Sequence, residues 1–127
     1  MRAPDRLRGM RVVAAPDAID RATWVGEDVT VLRFAPDDAF GHGARGVEID
    51  DEHAIVEAEV GFVGTWLAPA EIERHTEWQL PTERPAFAQG SIAGVPSKVW
   101  LPDDGEALLI TAAAYAEEMA GRLRASR

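Results

Sequence analysis

The chain has 127 residues, of which 46% are hydrophobic and 28% charged, a composition typical of a globular protein with a sizeable core. Its 22 acidic and 13 basic residues give a net charge of −9, which argues against non-specific binding of nucleic acid or of an anionic membrane surface. The sequence contains no cysteine, which excludes disulfides, thiolate metal sites and cysteine nucleophiles.

The first ten residues hold a local excess of positive charge from Arg2, Arg6 and Arg8. We predict that residues 1–10 form a basic N-terminal arm, either solvated and mobile or docked on an acidic partner, and that residues 11–127 form a single α+β domain. The N-terminus lacks the apolar segment of a secretory signal, and no apolar run is long enough to span a membrane. We therefore expect a cytoplasmic protein.

Short elements are predicted in the first third of the chain. Residues 11–15 and 29–34 read as strands, and residues 16–22 as one or two helical turns that begin at a proline. The glycine-rich stretch FGHGARG at residues 40–46 lacks the spacing of a phosphate-binding loop, so a flexible turn is favoured.

The stretch VEIDDEH at residues 47–53 places four carboxylates beside His53. Adjacent side chains of one extended segment point to opposite faces and cannot all reach one ion, so an exposed acidic turn is favoured over a metal site. His42 and His53 would form a metal pair only if they met in space, and no His-x-His spacing supports this. We therefore predict no metal site.

The middle of the chain predicts two further strand segments and a helix. AIVEAEV at residues 54–60 alternates like a strand with one solvent-facing side. Residues 62–67 predict either the second strand of a hairpin or the continuation of one strand with a bulge at Gly61 and Gly64. A helix is predicted over residues 69–78, because Pro69 suits its first turn and Pro81 follows its end.

Residues 86–123 give the most regular pattern. Strands predicted at residues 86–93 and 95–101 form a hairpin with an irregular turn at Gly94-Val95-Pro96, and Asp104-Gly105 is the strongest turn signal before a short buried strand at residues 107–110. Thr111 is predicted to cap the last helix. Five residues at helical spacing mark the buried face of that helix: Ala112, Ala116, Met119, Ala120 and Leu123.

The order of these elements predicts the fold class. From residue 62 onward the order is strand, helix, three strands, helix, and the links between neighbouring strands are too short for parallel crossovers. We expect an α+β fold with a mostly antiparallel sheet and two main helices packed on one face.

Candidate site residues are few, because the sequence contains no nucleophile–base pair. If the chain binds a small molecule by itself, the predicted pocket lies between the sheet and the loops at residues 40–46 and 50–53. Its polar residues would be His42, Arg45 and His53, with Trp66 or Trp100 as an apolar wall. Most of the four tryptophans are expected in the core, the alternative being that one or two lie at an interface. His75 is interpreted as a surface histidine.

Three stretches carry a resemblance to a known family: FVGTWLAPAEI (residues 62–72), WQLPTERPAFAQGSIAGVPSKVWL (78–101) and EALLITAAAYAEEMAGRL (106–123). They resemble the gamma subunit of heterotetrameric sarcosine oxidase and, more distantly, the aminomethyltransferase (glycine-cleavage T protein) superfamily. The shared pattern is a strand leading into a proline-initiated helix, a strand pair around an AGVP-like turn, and a strand with a closing helix. It covers about half of the chain and is a pattern of apolar residues and turns.

The resemblance implies a non-catalytic small subunit or accessory domain of a multi-subunit oxidoreductase that acts on sarcosine-like N-methyl amines or related small molecules. Such a subunit binds no cofactor itself, and a flavin or folate would belong to a larger catalytic partner. The folate-binding acidic residue of the aminomethyltransferases has no counterpart here, so no site residue is carried over. Two alternatives remain: a stand-alone small enzyme or small-molecule-binding protein that forms a homo-oligomer, and a homo-oligomeric interaction module without small-molecule chemistry.

Overall fold

The computed structural model describes residues 4–125. Within them, antiparallel strands account for most of the regular structure. The strands are β1 (Asp5–Val13), β2 (Thr23–Val25), β3 (Thr30–Ala35), β4 (Asp38–His42), β5 (Gly46–Glu48), β6 (Ile55–Leu67), β7 (Ala86–Ile92), β8 (Val95–Leu101) and β9 (Ala107–Ala112). The helices are α1 (Pro16–Asp20), α2 (Pro69–Glu73) and α3 (Ala116–Ala125), and a 3₁₀ turn spans Ala113–Tyr115.

The contacts within the described chain group into two compact units. One unit comprises residues 7–60, and the other comprises residues 61–125 with residues 4–6. β6 is one continuous strand that contributes its first residues to one unit and its remaining residues to the other. The alternative of a hairpin at Gly61 and Gly64 is therefore wrong.

In the unit formed by residues 7–60, β4 lies between β1 and β3 and pairs antiparallel with both. β2 and β5 form a separate antiparallel pair. The core holds Val12, Ile19 and Ala39, against which Trp24 packs. The indole of Trp24 passes so close to Gly41 that a Cβ added there would lie 2.3 Å from Cε3 of the ring, so this contact needs a glycine.

Part of the predicted N-terminal arm is strand. From Asp5 onward the chain belongs to β1. Within the predicted arm Leu7 is buried, and Gly9 pairs with His42 of β4. Residues 1–3 of the predicted arm lie outside the described residues.

In the unit formed by residues 61–125, the strand order is β6-β9-β8-β7 and every pairing is antiparallel. The prediction of a mostly antiparallel sheet accompanied by helices is confirmed. The strand predicted at residues 95–101 matches β8, and the strand predicted at residues 107–110 extends to Ala112.

The core of this unit gathers side chains from the sheet and from both α2 and α3. Ile72 of α2 is fully buried, and Met119 and Leu123 of α3 are each 5% exposed, as the helical spacing predicted. The sheet contributes Leu67, Ile92, Val95, Val99, Leu101, Ala107 and Leu109. No helix in the described part of the chain has both the length and the apolar character needed to cross a membrane.

Both helix predictions need correction. α2 ends at Glu73 instead of residue 78. The Thr76 hydroxyl lies 3.2 Å from the Glu73 carbonyl and 2.6 Å from the Trp78 carbonyl, and it donates its single proton to the nearer Trp78 carbonyl, which holds residues 76–78 in a bend instead of further helix. Thr111 does not cap the last helix. It is a buried residue of β9, and the 3₁₀ turn that precedes α3 starts after Ala112 without a side-chain cap.

The turn between β7 and β8 lies one residue earlier than predicted. Ala93 and Gly94 form it, with φ of +53° and +77°, and Pro96 already belongs to β8 opposite Ser91. An alanine at positive φ is uncommon because its Cβ crowds the backbone there. Two hydrogen bonds hold this conformation: the Ala93 N–H donates to the His75 carbonyl at 2.8 Å, and Arg122 Nη1 donates to the Ala93 carbonyl at 2.6 Å.

Trp78 attaches the segment after α2 to the edge strand β7. Its Nε1–H donates to the Ser91 carbonyl at 2.8 Å, and its ring lies over Gly90. A Cβ at Gly90 would lie 2.8 Å from two carbons of the indole, so the close approach needs a glycine. The interpretation of Trp78 as a packing residue agrees with this contact.

Candidate functional site

His42 lies at the end of β4 and is half-buried. Its ring stacks on Phe40 at a centroid distance of 6.2 Å, and Phe40 stacks on Phe34 at 6.2 Å. Because burial disfavours the charged imidazolium, the pKa of His42 is lowered from its ordinary value. A neutral imidazole is the form that ligates metals or accepts protons, but no carboxylate in the described residues contacts this one.

Arg45 and His53 lie apart from His42. Arg45 is exposed, and only its backbone N–H is bound, to the Val25 carbonyl at 2.8 Å. The side chain of His53 is 87% exposed and reaches only Glu52, at 3.4 Å. No hydrogen bond, ion pair or ring contact joins any two of these three predicted polar residues, so the structure does not assemble them into one site.

The acidic turn predicted at residues 47–53 has an internal structural role. The Asp51 carboxylate accepts the backbone N–H of Ala15 and that of His53, both at 2.9 Å. These two N–H groups, that of Ala15 first, lower the pKa of Asp51. Among residues 4–125, no three His, Asp or Glu side chains come close enough together to hold a metal ion.

Trp66 and Trp100, the predicted apolar walls, lie in one cross-strand row. Trp66 of β6 is opposite Leu108 of β9, which is opposite Trp100 of β8, which is opposite Phe87 of β7. Both indoles are partly exposed. The row is an apolar face of the second unit, and its polar neighbour is Lys98, whose Nζ lies 5.9 Å from the centroid of the Phe62 ring.

Arg11 organises the densest group of polar contacts in residues 7–60. Its Nε and Nη2 donate to the two carboxylate oxygens of Asp38 at 2.7 and 2.8 Å, and its Nη1 donates to Glu59 at 3.0 Å. Its guanidinium also stacks over Phe34, with Cζ 4.9 Å from the ring centroid. These contacts, hydrogen bonding to Asp38 above all, raise the pKa of Arg11. With both carboxylates paired, the group links β1, β4 and β6 and has a structural role.

The first half of β6 leaves apolar side chains exposed. Ile55 is 56% exposed, Val56 39% and Val60 47%. Successive side chains of a strand point to opposite faces, so exposure of both Ile55 and Val56 means that both faces are open there. Residues 55–60 are termed the β6 surface below. The sequence predicted one solvent-facing side with Glu57 and Glu59, whereas Glu59 is partly buried against Arg11.

Acidic side chains surround the β6 surface. Glu57 lies within it, and Asp50 and Glu52 are exposed in the turn that leads into β6. An exposed group of apolar side chains with charged neighbours is typical of a surface that binds another macromolecule. The alternation in the sequence identified the strand, but it carries no signal for whether either face is covered.

A groove in the second unit was missed entirely. It lies between the segment that follows α2, the β7–β8 turn and the end of α3, and its charged lining includes Arg74, Glu77 and Arg122. The sequence indicated only that Arg122 suits the C-terminal end of a helix. Nothing in the spacing of residues 74 and 122 signals that they meet. No protein-family model, curated protein or solved structure matches this chain.

Proposed function

We propose that this protein is a non-catalytic subunit that binds a larger protein through the β6 surface. The observation that carries the proposal is the exposure of Ile55, Val56 and Val60 on one strand. When a partner covers β-branched apolar side chains that are open to water, the burial stabilises the complex by about 25 cal/mol for each Å² of apolar surface.

Charge complementarity indicates the chemistry of the partner. Glu57 is on the same face of the strand as Ile55, and Asp50 and Glu52 are exposed in the turn that leads into β6. The partner surface is therefore expected to combine apolar residues with lysine or arginine, because opposite charges steer association and suppress wrong partners.

A second copy of the same chain is a poorer occupant. Antiparallel pairing of two copies along residues 55–60 would bring the exposed Glu57 side chains of the two copies near each other, and like charges opposite each other destabilise a strand pair. The net charge of −9 on each copy adds to this repulsion. These charges favour a hetero-complex over a homo-oligomer.

The class of partner we propose is an oxidoreductase acting on sarcosine-like N-methyl amines, with its flavin or folate held by the partner. The support is the sequence resemblance of residues 62–123 together with the observed order β6, α2, β7, β8, β9, α3.

The test is purification of the affinity-tagged chain from its native host, followed by identification and quantification of what remains bound. We expect a flavin- or folate-binding oxidoreductase at a fixed stoichiometric ratio, with activity towards N-methyl amines. The variant Ile55→Thr/Val56→Thr keeps β-branched side chains in the strand and is expected to lose that partner.

The matched control is Val31→Thr, which makes the same chemical change at an exposed valine of β3, a strand separated from β6 by β4 and β1. It is expected to retain the partner. Recovery of the chain alone, or equal retention of the partner by the double variant and the control, would rule out this function for the β6 surface.

A further inference from the structure

The groove that contains Arg74 and Arg122 has the size of a small-molecule site. Its volume is about 480 Å³, within the range of roughly 300–1,000 Å³ that is usual for ligand pockets. One wall is the segment Arg74–Glu77 after α2, and the other is the end of α3. The β7–β8 turn, through Ala93, lies between them.

The backbone around this groove is held in place from both sides. The N–H of Ala93 is bound to the His75 carbonyl, and the carbonyl of Ala93 is bound to Arg122, so the turn is tied to each wall. Trp78 is in turn anchored on Ser91. A non-glycine residue at positive φ persists only where its surroundings impose it, and such positions concentrate at ligand sites.

The charged side chains of the lining are two arginines and one glutamate. Arg74 and Arg122 both face the groove with the half-buried His75, and Glu77 is the one carboxylate among the described lining residues. Arg122 is occupied by the Ala93 carbonyl and by Glu118, whereas Arg74 has no hydrogen-bond or ion-pair partner within residues 4–125. The groove is open to solvent and Arg74 is exposed in it, so the N–H donors of its guanidinium are accessible to a ligand.

We propose that this groove binds the anionic head group, a carboxylate or a phosphate, of a small molecule. Arg74 contacts the anion through its guanidinium, whose fork of N–H donors matches two oxygens of either group. Arg122 acts as a positioning residue, because it holds the Ala93 turn in place and adds positive charge to the wall. The proposal is independent of the β6 surface, which lies in the other unit.

The test is a titration of the ¹⁵N-labelled protein with inorganic phosphate and, separately, with succinate, each followed by NMR at constant ionic strength. We expect saturable shifts of the backbone amides of Arg74, His75 and Ala93. The anion that saturates at the lower concentration identifies the head group. Sodium chloride at the same ionic strength is expected to produce no saturable shift at these amides.

Two variants change the binding in opposite directions. Arg74→Gln is expected to weaken binding by about tenfold or more, since it removes the contacting charge. Glu77→Gln is expected to strengthen binding, because it removes the carboxylate from the lining, and damage to the fold cannot produce that gain. The matched control is Arg45→Gln, which removes an exposed arginine of the other unit and should leave the affinity unchanged.

Three outcomes would overturn the proposal. The first is no saturation by either anion up to about 20 mM, a limit above the millimolar dissociation constants of weak small-molecule binding. The second is equal affinity in Arg74→Gln and in the unsubstituted protein. The third is an equal loss of affinity in Arg74→Gln and Arg45→Gln, which would mean that the overall charge is responsible instead of the groove.

Discussion

The contact between Trp78 and Gly90 gives the most decisive test of the packing described above. Gly90→Ala places one methyl group 2.8 Å from two indole carbons and 3.0 Å from Nε1, where ordinary contacts begin at 3.4 Å. The indole must therefore withdraw by about 0.6 Å, the difference between 3.4 and 2.8 Å. That movement stretches the bond from Nε1–H to the Ser91 carbonyl, which is 2.8 Å long.

The expected cost follows from these two effects. Forcing an extra carbon into a packed contact costs about 1–3 kcal/mol, and the weakened hydrogen bond adds about 0.5–1.5 kcal/mol. Replacing glycine by alanine in a strand returns about 0.5–1 kcal/mol, because the unfolded chain loses freedom. The free energy of unfolding of Gly90→Ala is therefore expected to fall by about 0.5–4 kcal/mol.

Urea titration followed by circular dichroism measures this change. Gly121→Ala is the matched control, because no atom lies within 4 Å of a Cβ built at that position of α3. Alanine in place of glycine within a helix is expected to raise the free energy of unfolding by about 0.5–1 kcal/mol. The same substitution should thus have opposite signs at the two positions.

A second measurement reports on the indole itself. The Nε1–H resonance of Trp78 can be assigned by its disappearance in Trp78→Phe, and it should shift in Gly90→Ala while the other three indole resonances remain in place. An unchanged resonance together with unchanged stability would show that the ring does not lie over Gly90. The docking of the segment after α2 onto β7 would then also be wrong.

Three further predictions concern the other unit. Arg11→Met is expected to lower the free energy of unfolding by about 1–3 kcal/mol, because two carboxylates lose charged hydrogen bonds; an unchanged urea midpoint would contradict the structural role assigned to Arg11. Burial lowers the pKa of His42 below 6.5 in the folded protein, so the unfolded chain binds this proton more tightly than the folded protein does. The free energy of unfolding should therefore fall as the pH drops below about 6.5. His42→Gln should flatten that slope between about pH 7.5 and pH 5.5, and an identical slope would exclude His42 as its source. Asp51→Ala should speed hydrogen exchange at the amides of Ala15 and His53, measured by NMR, and unchanged rates at both would show that the carboxylate does not hold this turn.

Strand positions could be predicted from the sequence because their signals are local. Val95, Val99, Trp100 and Leu101 surround Ser97 and Lys98 in β8, a pattern that indicated a strand partly covered on both faces. Asp104-Gly105 marks the turn after it, where Gly105 adopts a φ of +82°. Helix lengths were predicted less well. The short α2 depends on the Thr76 hydroxyl and on the docking of Trp78 onto β7, and neither contact is visible in the periodicity of residues 69–78.

The candidate sites depended on information that the sequence does not contain. Arg74 and Arg122 are brought to one groove by the turn at Ala93, and a pairing across so many residues leaves no spacing pattern. The apolar residues of β6 fitted a strand, but whether a strand face is covered depends on distant parts of the fold. His42 and His53 were considered as a metal pair only because both are histidines. In the structure His42 stacks on Phe40, whereas His53 is exposed beside Glu52.

The contacts of Arg11 also bear on how the polypeptide emerges during synthesis. Arg11 contacts Asp38, which lies 27 positions further along the chain, and Glu59, which lies 48 positions further, so β1 cannot complete its pairing until the chain beyond residue 59 has left the ribosome. At about 5–20 residues per second, the 48-residue interval corresponds to roughly 2–10 s of translation. Until β4 is synthesised, the nascent β1, with its hydrophobic Leu7 and Val12, has neither of its neighbouring strands to pair with.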